Sequence, residues 1–78
     1  MNSITIDKEV DCIGMICPLP VLRTKKALSD MQTGKILKVT ANDPGAKNDI
    51  PMFAKQTGNT LVHSEVEDDN FIFYLERR

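Results

Sequence analysis

Tryptophan is absent from this 78-residue chain, and one tyrosine and three phenylalanines hold its aromatic share to 5%. A core must therefore be assembled from aliphatic side chains. Cysteine is equally scarce. Two residues, Cys12 and Cys17, are too few for the disulfide framework of a small secreted scaffold, and they read as thiols. An excess of basic charge is also missing: ten Lys and Arg stand against eleven Asp and Glu, for a net charge of −1. Residues 1–34 hold four basic and four acidic side chains and residues 35–78 hold six and seven, so neither half carries the cationic signature of a nucleic-acid module. No apolar run approaches the roughly 18 residues that span a bilayer. The opening stretch MNSITIDKEVDC lacks the basic start and apolar centre of a secretory signal. These features lead us to expect a cytoplasmic chain whose thiols stay reduced, with no membrane association. At this length one domain is expected, burying only ~60% of the surface that the unfolded chain exposes.

The periodicity that is present changes several times. Ile4 and Ile6 alternate with Ser3, Thr5 and Asp7, a strand pattern that extends through Lys8 to Val10. From Pro18 to about Met31 the apolar step lengthens to three and four residues (Val21, Thr24, Ala27, Leu28, Met31), which predicts an amphipathic helix stopped by Gly34. Leu37, Val39 and Ala41 then alternate with Ile36, Lys38 and Thr40 as a second strand. Asp43-Pro44-Gly45 suits a type II turn with glycine at the position of positive φ. A second helix is expected from Asp49 as its N-cap, with Pro51 in its first turn, Ile50, Phe53 and Ala54 as its buried stripe, and Gly58 beyond its end. Residues 60–66 and 71–76 read as a hairpin turning at Glu67-Asp68-Asp69-Asn70. The predicted order is β-α-β-α-β-β: an open two-layer α/β sandwich, with both helices on one face of a four-stranded mixed sheet. Such a fold offers no deep cleft, so chemistry belongs on an edge or loop.

The stretch Gly14-Met15-Ile16-Cys17-Pro18-Leu19-Pro20 joins the first strand to the first helix. Cys17 stands as the expected N-cap, with Pro18 at the first helical position and Pro20 still inside the first turn. Ile16 packing on Val21 would staple the entry, and Gly14 would supply the turn into it. A thiol at a helix start feels the positive end of the helix dipole, which favours the nucleophilic thiolate. Two of the end-turn amides are missing at the prolines, leaving Leu19 N–H as the chief donor, so only a modest lowering of the Cys17 pKa is expected. Two prolines are an unusual cost for an ordinary helix start, which favours a rigid, exposed nucleophile over a buried cysteine. Cys12 reads as a packed residue, with a resolving thiol for Cys17 as its functional alternative.

At these residues the chain resembles the TusA/SirA-like sulfur-carrier family. The likeness runs over nearly the whole length: Asp11 and Gly14, then Cys17-Pro18-Leu19-Pro20, then the basic helix from Val21 to Leu28, then Asp43-Pro44-Gly45 followed by Asp49-Ile50-Pro51. Two residues depart from the common pattern, Ile16 where a polar or basic residue often precedes the cysteine, and the extra Cys12. The resemblance implies a β-α-β-α-β-β sandwich that carries sulfane sulfur as a persulfide, or a thiosulfonate, on Cys17. It implies a donor such as a desulfurase or rhodanese-like protein and an acceptor protein, as in tRNA thiolation or sulfur metabolism. It implies a carrier rather than a stand-alone catalyst. No cofactor or metal is expected, and the free protein is expected to be a monomer, with the helix-free face of the sheet leaving dimerisation open. Sulfane transfer needs an attacking thiolate and a good leaving thiolate, so a missing general base is consistent with that role.

The remaining residues have plainer readings. Arg23, Lys25 and Lys26 form either a docking patch for an acidic partner or a solvated face near the helix C-terminus. Asp43 and Asp49 are assigned to a turn and a cap. His63 lies in a strand without the spacing of a metal site. Two readings of another class stand beside the carrier: a thiol–disulfide redox module using Cys12 and Cys17, and a nucleic-acid module, which the charge balance disfavours.

Overall fold

A computed structural model describes residues 5–78, as six elements in the expected order: β1 Lys8–Cys12, α1 Leu19–Ser29, β2 Ile36–Ala41, α2 Ala46–Thr57, β3 Thr60–Glu67 and β4 Asn70–Glu76. The expected start of the first strand falls partly on residues 3 and 4, outside the described residues, and residues 5–7 are not strand. The strand lies later than the Ile4–Ile6 alternation implies, because pairing with β2 runs from Lys8↔Leu37 to Cys12↔Ala41. Ahead of it, Asp7 donates its amide to the Ile36 carbonyl and accepts the Ile36 amide on Oδ2, closing that end of the ladder.

The strand order is β1-β2-β4-β3, with β1 and β2 parallel and the other pairs antiparallel. Strand alternation supplies the core. Cys12, Leu37, Val39, Ala41, Phe73 and Leu75 from the sheet meet Ala27 and Leu28 of α1 and Ala46, Ile50 and Ala54 of α2 in one buried cluster. Both helices therefore cover a single face. With so few aromatics, small alanines allow close approach of helix to sheet, and Phe73 is the one phenylalanine fully within that cluster. The opposite face carries Lys38, Thr40 and Tyr74 between strands and is not covered by a helix.

Both helix starts differ from the sequence reading. Helix α1 begins at Leu19, with Pro18 rather than Cys17 at the cap position and Pro20 at its second residue. The Ile16 carbonyl accepts the Leu19 amide at 2.9 Å and so makes the entry a tight turn of its own. Ile16 is 68% exposed, so it does not staple the entry by packing on Val21. Thr24 is fully buried and returns its hydroxyl to the Pro20 carbonyl at 2.7 Å, which satisfies a polar group inside the core.

Helix α2 starts at Ala46, three residues before Asp49. Asp43 provides the start instead: its Oδ2 accepts the Gly45 amide at 3.1 Å and its carbonyl accepts the Ala46 amide at 3.0 Å. The segment Asp43-Pro44-Gly45 thus runs straight into the helix, with Gly45 at φ −63°, ψ −34° and not at positive φ. Asp49 then lies within the first turn instead of capping it, and Pro51 lies inside the helix, where its ring removes the amide that would bond the Lys47 carbonyl. Gly58 ends α2 in the left-handed conformation at φ 80°, as expected.

Candidate functional site

Because β1 and β2 are parallel, the loops leaving their C-terminal ends emerge on one edge of the sheet. The β1–α1 loop brings Cys17 to that edge and the β2–α2 loop brings Asn42, Asp43 and Gly45. The first loop is fixed by backbone bonds: Asp11 Oδ1 accepts the Ile13 amide at 2.9 Å, the Cys12 carbonyl accepts the Met15 amide at 3.1 Å, and Asn42 Oδ1 accepts the Gly14 amide at 3.0 Å. Gly14 sits at φ +84°, a conformation that disfavours any side chain, which accounts for a glycine at this turn.

Cys17 is exposed, and its Sγ–H donates to Asp49 Oδ2 at 3.1 Å. Gly45 closes the other side. A Cβ built there would lie 2.8 Å from Asp43 Oδ2, 3.5 Å from Cys17 Cβ and 3.6 Å from Asp49 Oδ2. Glycine is therefore favoured here by the close approach of the Asp43 carboxylate and not by a positive φ, while Cys17 and Asp49 lie at ordinary contact distance.

This surrounding reverses the expected tuning of the thiol. The Leu19 amide, read from the sequence as the donor left to greet an anion, is taken by the Ile16 carbonyl. What faces the sulfur is a carboxylate. The hydrogen bond to Asp49 holds the Cys17 pKa above the ordinary thiol range, with further upward contributions from desolvation and from the charges of Asp49 and Asp43. The modest lowering expected from the helix dipole is not found. Cys12 is the contrasting case. It is fully buried at the end of β1, and burial pushes its thiol pKa up.

Several apolar side chains of the loop and helices are exposed. Ile13, Ile16, Leu19 and Met52 are all substantially exposed, and a shallow groove lined by Pro18, Val21, Asp49, Met52, Phe53 and Gln56 runs between the helices. The basic residues of α1 do not form one patch. Arg23 and Lys26 line a groove along the β1 edge with Lys8, Glu9, Asp11 and Asp30, whereas Lys25 lines a different one beside Phe53, Thr57 and Arg78. Among the described residues no cluster of three or more His, Cys, Asp or Glu could hold a metal, and no helix is long and apolar enough to cross a membrane. His63 meets Glu65 at 3.7 Å and stacks at an angle on Tyr74, away from the thiol on the uncovered sheet face.

The sequence reading placed Cys17, Gly14, Pro18 and Pro20 on this edge and missed two participants. Asn42 was not singled out, and Asp49 was assigned to capping. The available signal was topological: two parallel strands must present their following loops side by side, so polar residues just after β2 belong beside a motif just after β1.

Fold and site together define a class: a small open α/β sandwich whose exposed thiol stands at a strand-to-helix turn. The family model described as "Sulfurtransferase TusA" matches residues 8–77, and the chain belongs to that family. It is 48% identical over 71 residues to the protein named sulfur carrier protein TusA of Allochromatium vinosum, covering 91% of this chain and 93% of that one. It is 41% identical over 71 residues to the putative sulfur carrier protein YrkI of Bacillus subtilis, covering 91% and 95%. A solved SirA-like protein from Desulfitobacterium hafniense superposes with a TM-score of 0.78 over 88% of this chain and 95% of that one; at 23% identity it attests the fold.

Proposed function

We propose that this protein is a sulfur carrier that holds sulfane sulfur as a persulfide on Cys17 and relays it from a donor protein to an acceptor protein. The reading rests chiefly on the exposure of the Cys17 thiol at a rigid turn, in a chain whose relatives are named sulfur carriers. In loading, the Cys17 sulfur, as thiolate, attacks the terminal sulfur of a donor persulfide. A new S–S bond forms at Cys17, the donor's S–S bond breaks, and the donor leaves as its own thiolate while the Cys17 proton passes to solvent. In unloading, an acceptor thiolate attacks the terminal sulfur and Cys17 leaves. Neither step changes the total oxidation state, so no external oxidant or cofactor is required.

A carrier must meet two partners in turn with the same atom. An exposed sulfur serves that purpose, and the exposed Ile16 and Leu19 close to it in sequence, with Met52 on α2, offer apolar surface to a docking protein. Gly14, Pro18 and Pro20 support the thiol by stiffening the loop. The tRNA-thiolation and general sulfur-metabolism settings both fit this chemistry, and a thiosulfonate could occupy the same atom. Incubation with a desulfurase and cysteine, or with a rhodanese and thiosulfate, followed by intact-mass and peptide mass spectrometry, tests the assignment. Adducts are expected on Cys17 and absent from Cys17→Ser; an adduct that persists in that variant refutes it.

The redox alternative requires Cys12 and Cys17 to pair. Cys12 is fully buried within the core cluster, and a disulfide would have to draw it out. No structural feature favours that reading over the carrier.

A further inference from the structure

We propose that Asp49 acts as a charge gate on Cys17, holding the empty carrier as an inward-bonded, protonated thiol and turning the anionic sulfur of the loaded carrier outward. The inference rests on the persulfide reading above and concerns how that site changes between its two states.

The geometry of the empty state carries the first half. Among the described residues Cys17 has one polar partner, Asp49 Oδ2 at 3.1 Å, and the interaction exists only while sulfur carries a hydrogen to donate. Asp43 lies on the same side, its Oδ2 fixed by the Gly45 amide at 3.1 Å and so unable to swing freely away. Gly45 lies between the two loops, where a Cβ would crowd Asp43 Oδ2 at 2.8 Å and come into ordinary contact with Cys17 and Asp49. The backbone amide that could have stabilised a thiolate, that of Leu19, is already bonded to Ile16. The charged groups that act on the thiol are thus both acidic, Asp49 from α2 and Asp43 from the loop before it, and both raise its pKa. Arg23, Lys25 and Lys26 on α1 line grooves elsewhere and do not offset them.

The second half follows from charge. Once the sulfur of Cys17 is bonded to a second sulfur, it has no hydrogen for Asp49, and the terminal sulfur ionises more readily than a thiol. An anion beside two carboxylates is repelled, and the exposed side of the site is the direction open to it. The empty carrier is thereby protected from stray electrophiles, while the loaded one presents its cargo. Asp49 is a positioning residue in this scheme and does not act as a base.

Alkylation of Cys17 by iodoacetamide, followed across pH by peptide mass spectrometry, reads the gate directly. The empty Asp49→Asn protein is expected to react at least about threefold faster than wild type near pH 7.5, with its rate profile displaced to lower pH, while Asp49→Glu stays near wild type. Wild type itself should show a profile displaced to higher pH relative to the same chain unfolded in urea, a comparison that needs no variant. When the carrier is first loaded from a low-molecular-weight persulfide, Asp49→Asn should alkylate more slowly than wild type at the terminal sulfur, because one of the charges that turns it outward is gone. Equal or slower reaction of empty Asp49→Asn overturns the gate, as does a wild-type profile no higher than that of the unfolded chain, or loaded Asp49→Asn reacting as fast as loaded wild type. Failure of Cys17 to take any sulfane sulfur refutes the carrier reading instead, and with it the loaded half, whereas the empty-thiol comparison is decided by its own rates.

Discussion

Replacing Cys12 by serine separates the two thiols more sharply than any change at Cys17. Cys12 is fully buried, opposite Ala41 in the β1–β2 register, and belongs to the cluster joining both helices to the sheet. Serine is slightly smaller but exchanges a nearly apolar sulfur for a hydroxyl. Among the described residues, no buried side-chain nitrogen or oxygen lacks a hydrogen-bond partner, so none waits for a new hydroxyl. A buried hydroxyl without a compensating bond costs about 1–3 kcal/mol by mutational measure. In a domain of this size each kcal/mol moves the melting temperature by about 4–8 °C, giving a fall of roughly 5–20 °C. Cys12→Ala removes the sulfur without adding polarity and should lose less. Thermal and urea unfolding measure the stabilities, and sulfur loading on Cys17 at a temperature where the variant is folded measures function. Loading should be retained in both variants. A Cys12→Ser protein as stable as wild type but unable to load Cys17 would refute the reasoning and make Cys12 a resolving thiol.

Other expectations follow from the same contacts. Cys17→Ser should abolish sulfur loading and leave the melting temperature unchanged, since the side chain is exposed. Ile50→Ala, at a fully buried position of α2, should cost about 2–5 kcal/mol in urea unfolding, whereas Met52→Ala, two residues on and exposed, should stay within about 0.5 kcal/mol. Stability should depend on pH through Cys12. Burial raises its folded-state pKa, so its favourable contribution is complete below the unfolded thiol value of about 8.5 and is lost as pH rises through the folded value. Unfolding free energy measured from about pH 8 to pH 10 should therefore decline, and Cys12→Ala should lessen the decline, leaving the part that the raised Cys17 pKa contributes. Gly45→Val should displace Asp43 or Cys17, because its Cβ would meet Asp43 Oδ2 at 2.8 Å; the changed alkylation rate of Cys17 reads that displacement.

The order of elements was legible in the chain because alternation and three-to-four spacing are local properties. Leu37, Val39 and Ala41 announce a strand, and Thr24, Ala27 and Leu28 announce a helix face, without knowledge of what they pack against. The thiol was legible too: a cysteine before two closely spaced prolines and after Gly14 is a local pattern, and so is the resemblance built on it. The helix starts were harder, since each depends on which of several acceptors captures an amide. Asp43 rather than Asp49 supports the start of α2, and the Ile16 carbonyl rather than the Cys17 side chain governs the entry to α1.

Scarcity of cysteine and of basic charge thus excluded other classes, and periodicity together with the placement of Cys17 made a small open sandwich with a thiol at a turn legible from sequence alone. The environment of that thiol was decided by tertiary structure. Asp49 lies 32 residues from Cys17 and reaches it because β1 and β2 run parallel and present the segments that follow them side by side. Local reasoning sees the helix end and expects an eased ionisation; the folded chain places two carboxylates there, and at 3.1 Å a carboxylate outweighs a helix dipole whose free amide has been taken.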